Sequence, residues 1–281
     1  MSKSPIRIIT DSAACLQRDF CARHGIEMVS LSLALKGQVY EEGFPDTYAD
    51  FYARMIREDE IPRSSQPSVA AFAGAFERAR NDGYEVVAPM LTSGVSGTYQ
   101  SACMAAEMVD PEAITVIDTR FGGSAMYFFI EAALEAIEQG KQRAEVVARI
   151  LSAMKRTTYD MTVSTLDYLK RGGRLSNVQA FFGSILNLRP HIRLRDGALV
   201  ALNRLRGQAK VIDAIIADIP AHASKISVCH VLAADLANAV SERLAKLFPK
   251  ALVRTDEMGP VIGCNLGPGA LGIAYIEAEN G

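Results

Sequence analysis

Two short stretches of the chain gather hydroxyl side chains at spacings that suit the capture of an anion. The first, LTSGVSGTYQSA at 91–102, carries Thr92, Ser93, Ser96 and Thr98, separated by Gly94 and Gly97. The second, RSSQPS at 63–68, carries Ser64, Ser65 and Gln66 between Pro62 and Pro67. A hydroxyl donates a hydrogen bond without bringing a charge. A carboxylate buried without partners is strongly disfavoured, so several donors must converge on it. A basic group, Arg171, Arg174, Arg204 and Arg206, is available nearby in the chain, although such arginines taken alone belong more often to a solvated face. Together these residue types suit an acid headgroup held beside an apolar pocket.

The elements around them are those of an α/β protein. Residues 84–91 read as a buried strand and 99–109 as a helix, so the hydroxyl loop sits at a helix N-terminus. Free N–H groups and the positive end of the helix dipole point there, and glycines let the backbone come close to what is bound. Upstream, 6–10 reads as a strand that runs into Asp11 and Ser12, which either cap a helix over 13–24 or face a ligand. A second strand region covers 26–34, a turn 40–44, a helix 47–57 and a loop 61–68. Ser68 caps the helix that follows. Strand 113–118 and helices over 122–140 and 144–155 continue an alternating pattern, the signature of a doubly wound, mostly parallel sheet whose ligands gather at the carboxyl ends of its strands.

The texture changes near residue 157. A strand at 159–164 precedes a helical turn at 166–176 that Gly172 and Gly173 break, then an apolar helical stretch at 177–187. Residues 191–205 alternate around Asp196-Gly197, a strong hairpin signal. A helix at 208–219, a strand at 226–231, a helix at 234–247 and a strand at 251–255 follow. This predicts an N-terminal α/β domain over 1–157 and a C-terminal α+β domain with an antiparallel sheet over 158–281, with ligand between them. Residues 259–272, GPVIGCNLGPGALG, read as a structured loop. Gly267, Gly269 and Gly272 formally match GxGxxG, but too few residues follow for a dinucleotide-binding unit.

Other chemistries find no support. The 281 residues carry a net charge of -2, which argues against a nucleic-acid surface. No apolar run reaches the length of a membrane span, and the N-terminus does not read as a signal peptide. Five dispersed cysteines lack metal-ligand spacing and suggest reduced, buried thiols in a cytoplasmic protein. There is no phosphate-binding GxxxxGK[ST] loop and no HExxH, and neither a metal nor a cofactor is expected. A nucleophile elbow needs GxSxG, which Gly94-Val95-Ser96-Gly97 does not complete. None of His24, His191, His222 and His230 sits in a motif that marks a base. Two alternatives stay open: a hydrolytic or acyl-transfer enzyme using Ser96, which requires a histidine within reach, and a binder of a phosphate-containing small molecule, which requires a polar cleft.

Six motifs in order resemble the DegV family: TDSAACL at 10–16, SSQPS at 64–68, SGVSGTYQSA at 93–102, VIDT at 116–119, LDYLKRGGRLS at 166–176 and GPVIGCNLGPGALG at 259–272. The resemblance implies a two-domain, non-catalytic cytoplasmic protein that binds one long-chain fatty acid, such as palmitate, between its domains. It further implies that such a protein can serve as the fatty-acid-binding subunit of a fatty acid kinase. Carried over by position, the headgroup contacts fall on Ser64 and Ser96, with Ser65 and Thr98 beside them. Arg174, the arginine of GGR, falls near the carboxylate, and Arg204 and Arg206 face a partner. The family usually has Thr-Ser where this chain has Ser64-Ser65, and a histidine where it has Asn265. Asparagine donates a hydrogen bond but cannot become cationic. The apolar segments 70–76 and 181–188 are candidate walls for the acyl chain.

Overall fold

The computed structural model describes residues 5–58, 60–175 and 188–279. The predicted helical stretch at 177–187, and all but the last residue of the candidate wall at 181–188, lie outside them. The chain begins with β1 (Ile6–Asp11), followed by α1 (Arg18–His24), β2 (Glu27–Val29), β3 (Ser32–Leu35), β4 (Gln38–Glu41), α2 (Tyr48–Glu58) and β5 (Arg63–Ser65). Next come α3 (Val69–Asn81), β6 (Glu85–Met90), α4 (Thr98–Val109), β7 (Ile114–Asp118), α5 (Ser124–Glu138) and α6 (Arg143–Lys155). The second half holds β8 (Thr157–Thr162), α7 (Asp167–Arg171), β9 (Leu188–Arg195), β10 (Ala198–Arg206), α8 (Gln208–Asp218), β11 (Ala223–His230), α9 (Ala234–Leu247), β12 (Leu252–Glu257), α10 (Pro260–Leu266) and β13 (Leu271–Glu277).

The first sheet is parallel, in the order β2-β1-β6-β7. Its strands are apolar on both faces because helices cover both. Along β6, Val86, Ala88 and Met90 pack with Phe72 and Phe76 of α3 and Ala102 and Ala105 of α4. The alternate residue Val87 packs with Phe128 and Phe129 of α5. The second sheet is mixed, in the order β10-β9-β8-β13-β11-β12, antiparallel except for the β11/β12 pair. One face of it packs on α8 and α9 through Ile226, Val228, Ile273 and Tyr275. Its other face, with Tyr159, Met161, Ala274 and Ile276, joins the cluster that contains α5. Thus α5 lies between the two sheets and serves both.

Several local expectations are corrected. Asp11 caps no long helix: its Oδ1 accepts from the Ala13 N–H at 2.9 Å and closes a single 3-10 turn that ends at Cys15 with φ 53°. Helix α1 therefore begins only at Arg18. The strand region 26–34 is two strands, because the Leu31 N–H leaves the parallel ladder and donates to Ser12 Oγ. The turn expected at 40–44 begins with the last two residues of β4, and the loop at 61–68 contains β5; the two strands flank β3 in a third, antiparallel sheet. Its hairpin turns on Lys36 and Gly37, both at positive φ, a less evident signal than the Asp196-Gly197 pair. The glycine-rich stretch at 259–272 holds α10, and the apolar run after it is β13, an interior strand between β8 and β11. No helix among the described residues is long and apolar enough to cross a membrane.

Candidate functional site

In the first sheet the strand order reverses between β1 and β6, and the site forms beyond the carboxyl ends of those strands, as expected for a topological switch point. Asp11, the last residue of β1, is buried, and its Oδ2 accepts from the Leu91 N–H at 2.7 Å. It neither caps a long helix nor lines the cavity. It fixes the point where β6 becomes the hydroxyl loop. Burial lifts its carboxyl to about 7 against two backbone hydrogen bonds that lower it. Ser93 is held away from the cavity by Asp118 of β7, to which its hydroxyl donates at 2.5 Å.

A cavity of about 370 Å³ lies next to this loop, within the usual range of about 300–1,000 Å³ for small-molecule sites. One part of its lining is polar: Ser64, Ser65, Gln66, Thr92, Ser96, Arg174 and Asn265. The rest is apolar, from Leu31, Leu91, Val95, Met161, Leu169, Leu194, Leu199, Val261, Ile262 and Leu266, with Tyr159 among them. The loop after β6, strand β5 of the third sheet, strand β8 and the β9/β10 hairpin of the second, and α10 therefore contribute.

Of the residues singled out from sequence, Ser64, Ser65, Ser96, Arg174 and Asn265 meet on this cavity. Asn265 Nδ2 donates to Ser64 Oγ at 3.1 Å and to the Val261 carbonyl at 2.8 Å. Ser64 thus accepts from an amide, which leaves its own hydroxyl hydrogen for another acceptor. Ser96 Oγ lies 2.8 Å from Thr98 Oγ1 and accepts from the Thr98 N–H at 3.3 Å. Thr98, read from sequence as part of the carboxylate-binding set, is fully buried and absent from this cavity's lining, so it positions Ser96 and starts α4. Arg174 is anchored by Nε to the Val95 carbonyl at 3.1 Å and by Nη1 to the Gly172 carbonyl. Its Nη2 has no partner among the described residues.

Arg204 and Arg206 lie on β10, half-buried and exposed, outside the cavity lining, and Arg171 is exposed as well. The segment 70–76 does not form a cavity wall: Phe72 and Phe76 are buried between α3, α4 and the first sheet. The walls come instead from β8, the hairpin and α10, elements whose apolar residues carry no local sign of a ligand. Among the described residues no histidine lines the cavity. His191 faces Asp160 at 3.3 Å, His222 faces Glu277 at 2.8 Å, His230 Nδ1 accepts from the Ala233 N–H, and His24 packs on Phe20. Ser96 therefore has no imidazole base in the cavity. Asp160, His191 and Asp218 lie close enough to hold a metal ion, but the Arg193 guanidinium already bridges both carboxylates at 2.7 and 3.0 Å.

Gly94 and Gly97 differ from the expected role of admitting a ligand. A Cβ on Gly94 would collide with the Gly197 carbonyl oxygen and lie 2.7 Å from its carbon. Thr92 Oγ1 donates to that same carbonyl at 2.9 Å. The tip of the β9/β10 hairpin is thus docked on the hydroxyl loop. At Gly97 the obstructing group is the side chain of Gln66, which brings the two hydroxyl stretches together.

A family profile described as "uncharacterised protein, DegV family" matches residues 5–278. The chain belongs to the DegV family. A DegV domain-containing protein of Clostridium perfringens is 32% identical over 280 residues, covering 96% of this chain and 98% of that protein. Among solved structures, a fatty-acid-binding DegV family protein from Thermus thermophilus shares 30% identity with a TM-score of 0.88, over 98% of this chain and 100% of that one. DegV from Bacillus subtilis, described as a fatty acid binding protein, shares 28% identity with a TM-score of 0.88 and the same coverage.

Proposed function

We propose that this DegV protein binds one long-chain fatty acid of about palmitate length, its carboxylate at the polar end of the cavity and its acyl chain along the apolar walls. The observation that carries the reading is the convergence of Ser64, Ser96, Asn265 and Arg174, from four separate segments, on the polar end of one cavity whose other walls are apolar. Ser64 and Ser96 each accept from an N–H donor, and with Thr98 as the donor in the Ser96–Thr98 hydroxyl pair both serine hydroxyls donate to the carboxylate. The structural relatives from T. thermophilus and B. subtilis, described as binding fatty acids, support the same ligand class. The proposed location is the cytoplasm, in keeping with five free cysteines, four of them buried and Cys103 half-buried.

Native mass spectrometry of the purified protein tests the ligand. A long-chain acid is expected to co-purify or load, and failure to do either overturns the proposal. A Ser96→Ala variant is expected to bind roughly 10- to 100-fold more weakly, the loss of one hydrogen bond to a charged group being worth about 1.5–3 kcal/mol. Unchanged affinity would remove Ser96 from the headgroup site.

Presentation of the acid to a fatty acid kinase forms a second part of the proposal. Asn265 supplies a hydrogen bond to Ser64 but no titratable proton. With a fatty acid kinase present, acyl phosphate should form faster on an Asn265→His variant than on the natural chain. Equal rates in the two would show that the asparagine does not limit coupling.

A further inference from the structure

We propose that Tyr159 is the fixed stop that sets how long an acyl chain the cavity accepts, an inference that rests on the fatty-acid reading above. Tyr159 and Met161 are alternate residues of β8, and both line the cavity. Leu169 and Arg174 follow the carboxyl end of that strand. From the polar end, the wall thus runs past Met161 and reaches Tyr159 roughly 6–7 Å farther back along the strand.

Three features keep the Tyr159 ring from giving way. Its side chain is buried, at 3% exposure. Its hydroxyl lies 3.0 Å from Cys229 Sγ, which also accepts from Ser124 Oγ at 3.3 Å. The ring occupies a slot made by two residues without side chains. A Cβ on Gly272 would lie 2.6 Å from Tyr159 Cε2, and one on Gly123 would lie 3.4 Å from the hydroxyl. Met161 lacks such an anchor, and an unbranched thioether adapts to what it meets.

The surroundings of the hydroxyl explain why a stop belongs there. Beyond the ring stand Ser124, Cys229 and the Gly272 carbonyl, which takes the Cys229 thiol at 3.5 Å. A methyl terminus pushed into that space would strand buried donors and acceptors that it cannot satisfy. The ring therefore separates an apolar channel from a small polar core. Chain length is limited by a rigid side chain, and not by the softer side walls.

The test loads delipidated protein with an equimolar mixture of saturated acids from lauric to arachidic and reads the bound distribution by mass spectrometry. Tyr159→Ala is expected to move the peak toward longer acids by roughly two carbons or more, since a large-to-small change leaves a void that collapses only in part. Tyr159→Leu should move it less, and it carries the test should the alanine variant fail to fold. Tyr159→Phe keeps the ring and should retain the wild-type peak. Met161→Ala should weaken binding with the peak unmoved. A wild-type distribution in Tyr159→Ala or Tyr159→Leu overturns the inference, as does an equal shift in Met161→Ala. Wild-type protein that takes up no acid overturns the fatty-acid reading itself, and the Tyr159 stop with it.

Discussion

A Glu42→Gln variant is expected to be more stable than the natural chain at about pH 8, by on the order of 3 kcal/mol, and to lose that advantage below about pH 4–5. Glu42 is 2% exposed and has no cationic partner among the described residues. Its Oε2 accepts from Ser12 Oγ at 2.6 Å and its Oε1 from the Val261 N–H at 2.7 Å. Burial is the main cause that lifts its carboxyl to about 7, and Asp11 adds to the lift, while the two hydrogen bonds lower it. Cys15, Tyr48 and Tyr52 also face it, and none of them brings a positive charge.

The direction follows from proton linkage. The folded chain holds the Glu42 proton more tightly than the unfolded chain, whose glutamate titrates near the ordinary 4.5. Stability from this group is complete below that range and is lost as pH climbs through about 7. Each tenfold change in proton affinity is worth about 1.4 kcal/mol, which sets the size of the effect. Glutamine fits the same place, with its carbonyl toward Val261 and its amide toward Ser12. Urea midpoints of both proteins across this pH range decide the matter: a stability gap that does not change with pH would show that Glu42 does not ionise in this window. The site feels the result, because Ser12 also accepts from the Leu31 N–H at 3.0 Å, and Leu31 and Val261 both line the cavity.

These carboxylates also show what is and is not legible in the chain. The hydroxyl loop at 91–102 is readable because everything that defines it is local: an apolar strand, glycines, and a helix start. The Asp196-Gly197 hairpin is readable for the same reason, both residues taking positive φ at 50° and 82°. What cannot be read locally is pairing across the chain. Ser64 enters the site because β5 pairs with β3, setting Ser64 opposite Leu33. Asn265 enters because α10 returns to that strand. Thr98 looks like a donor to ligand, yet burial turns it into the partner of Ser96. Phe72 and Phe76 look like a wall, yet the parallel sheet needs an apolar cover on its second face and takes them. Leu194 and Leu199 line the cavity only because the hairpin tip docks on a loop more than ninety residues earlier, a contact no motif announces.

That docking yields the other large expected effect. A Gly94→Ala variant should lose about 2–3 kcal/mol of stability and bind fatty acid much more weakly, an effect typical of overpacking against groups that cannot rotate away. Gly94 does not need an unusual backbone angle, since it is absent from the residues with positive φ. The requirement is space alone. The obstructing atoms are the carbonyl oxygen and carbon of Gly197, which are main chain and held in a tight turn. Pushing that carbonyl away also breaks the Thr92 hydrogen bond at 2.9 Å. It carries with it Leu194 and Leu199, which reach the cavity from the two strands of the hairpin. Gly97→Ala is the comparison, because its added methyl meets the terminal amide of the exposed Gln66 side chain, which can move aside at the cost of its 2.9 Å bond to Ser101 Oγ. Urea midpoints and fatty-acid affinities of the two variants separate a backbone obstruction from a side-chain one. Should Gly94→Ala prove as stable and as tight-binding as Gly97→Ala, the hairpin is not what closes this end of the cavity.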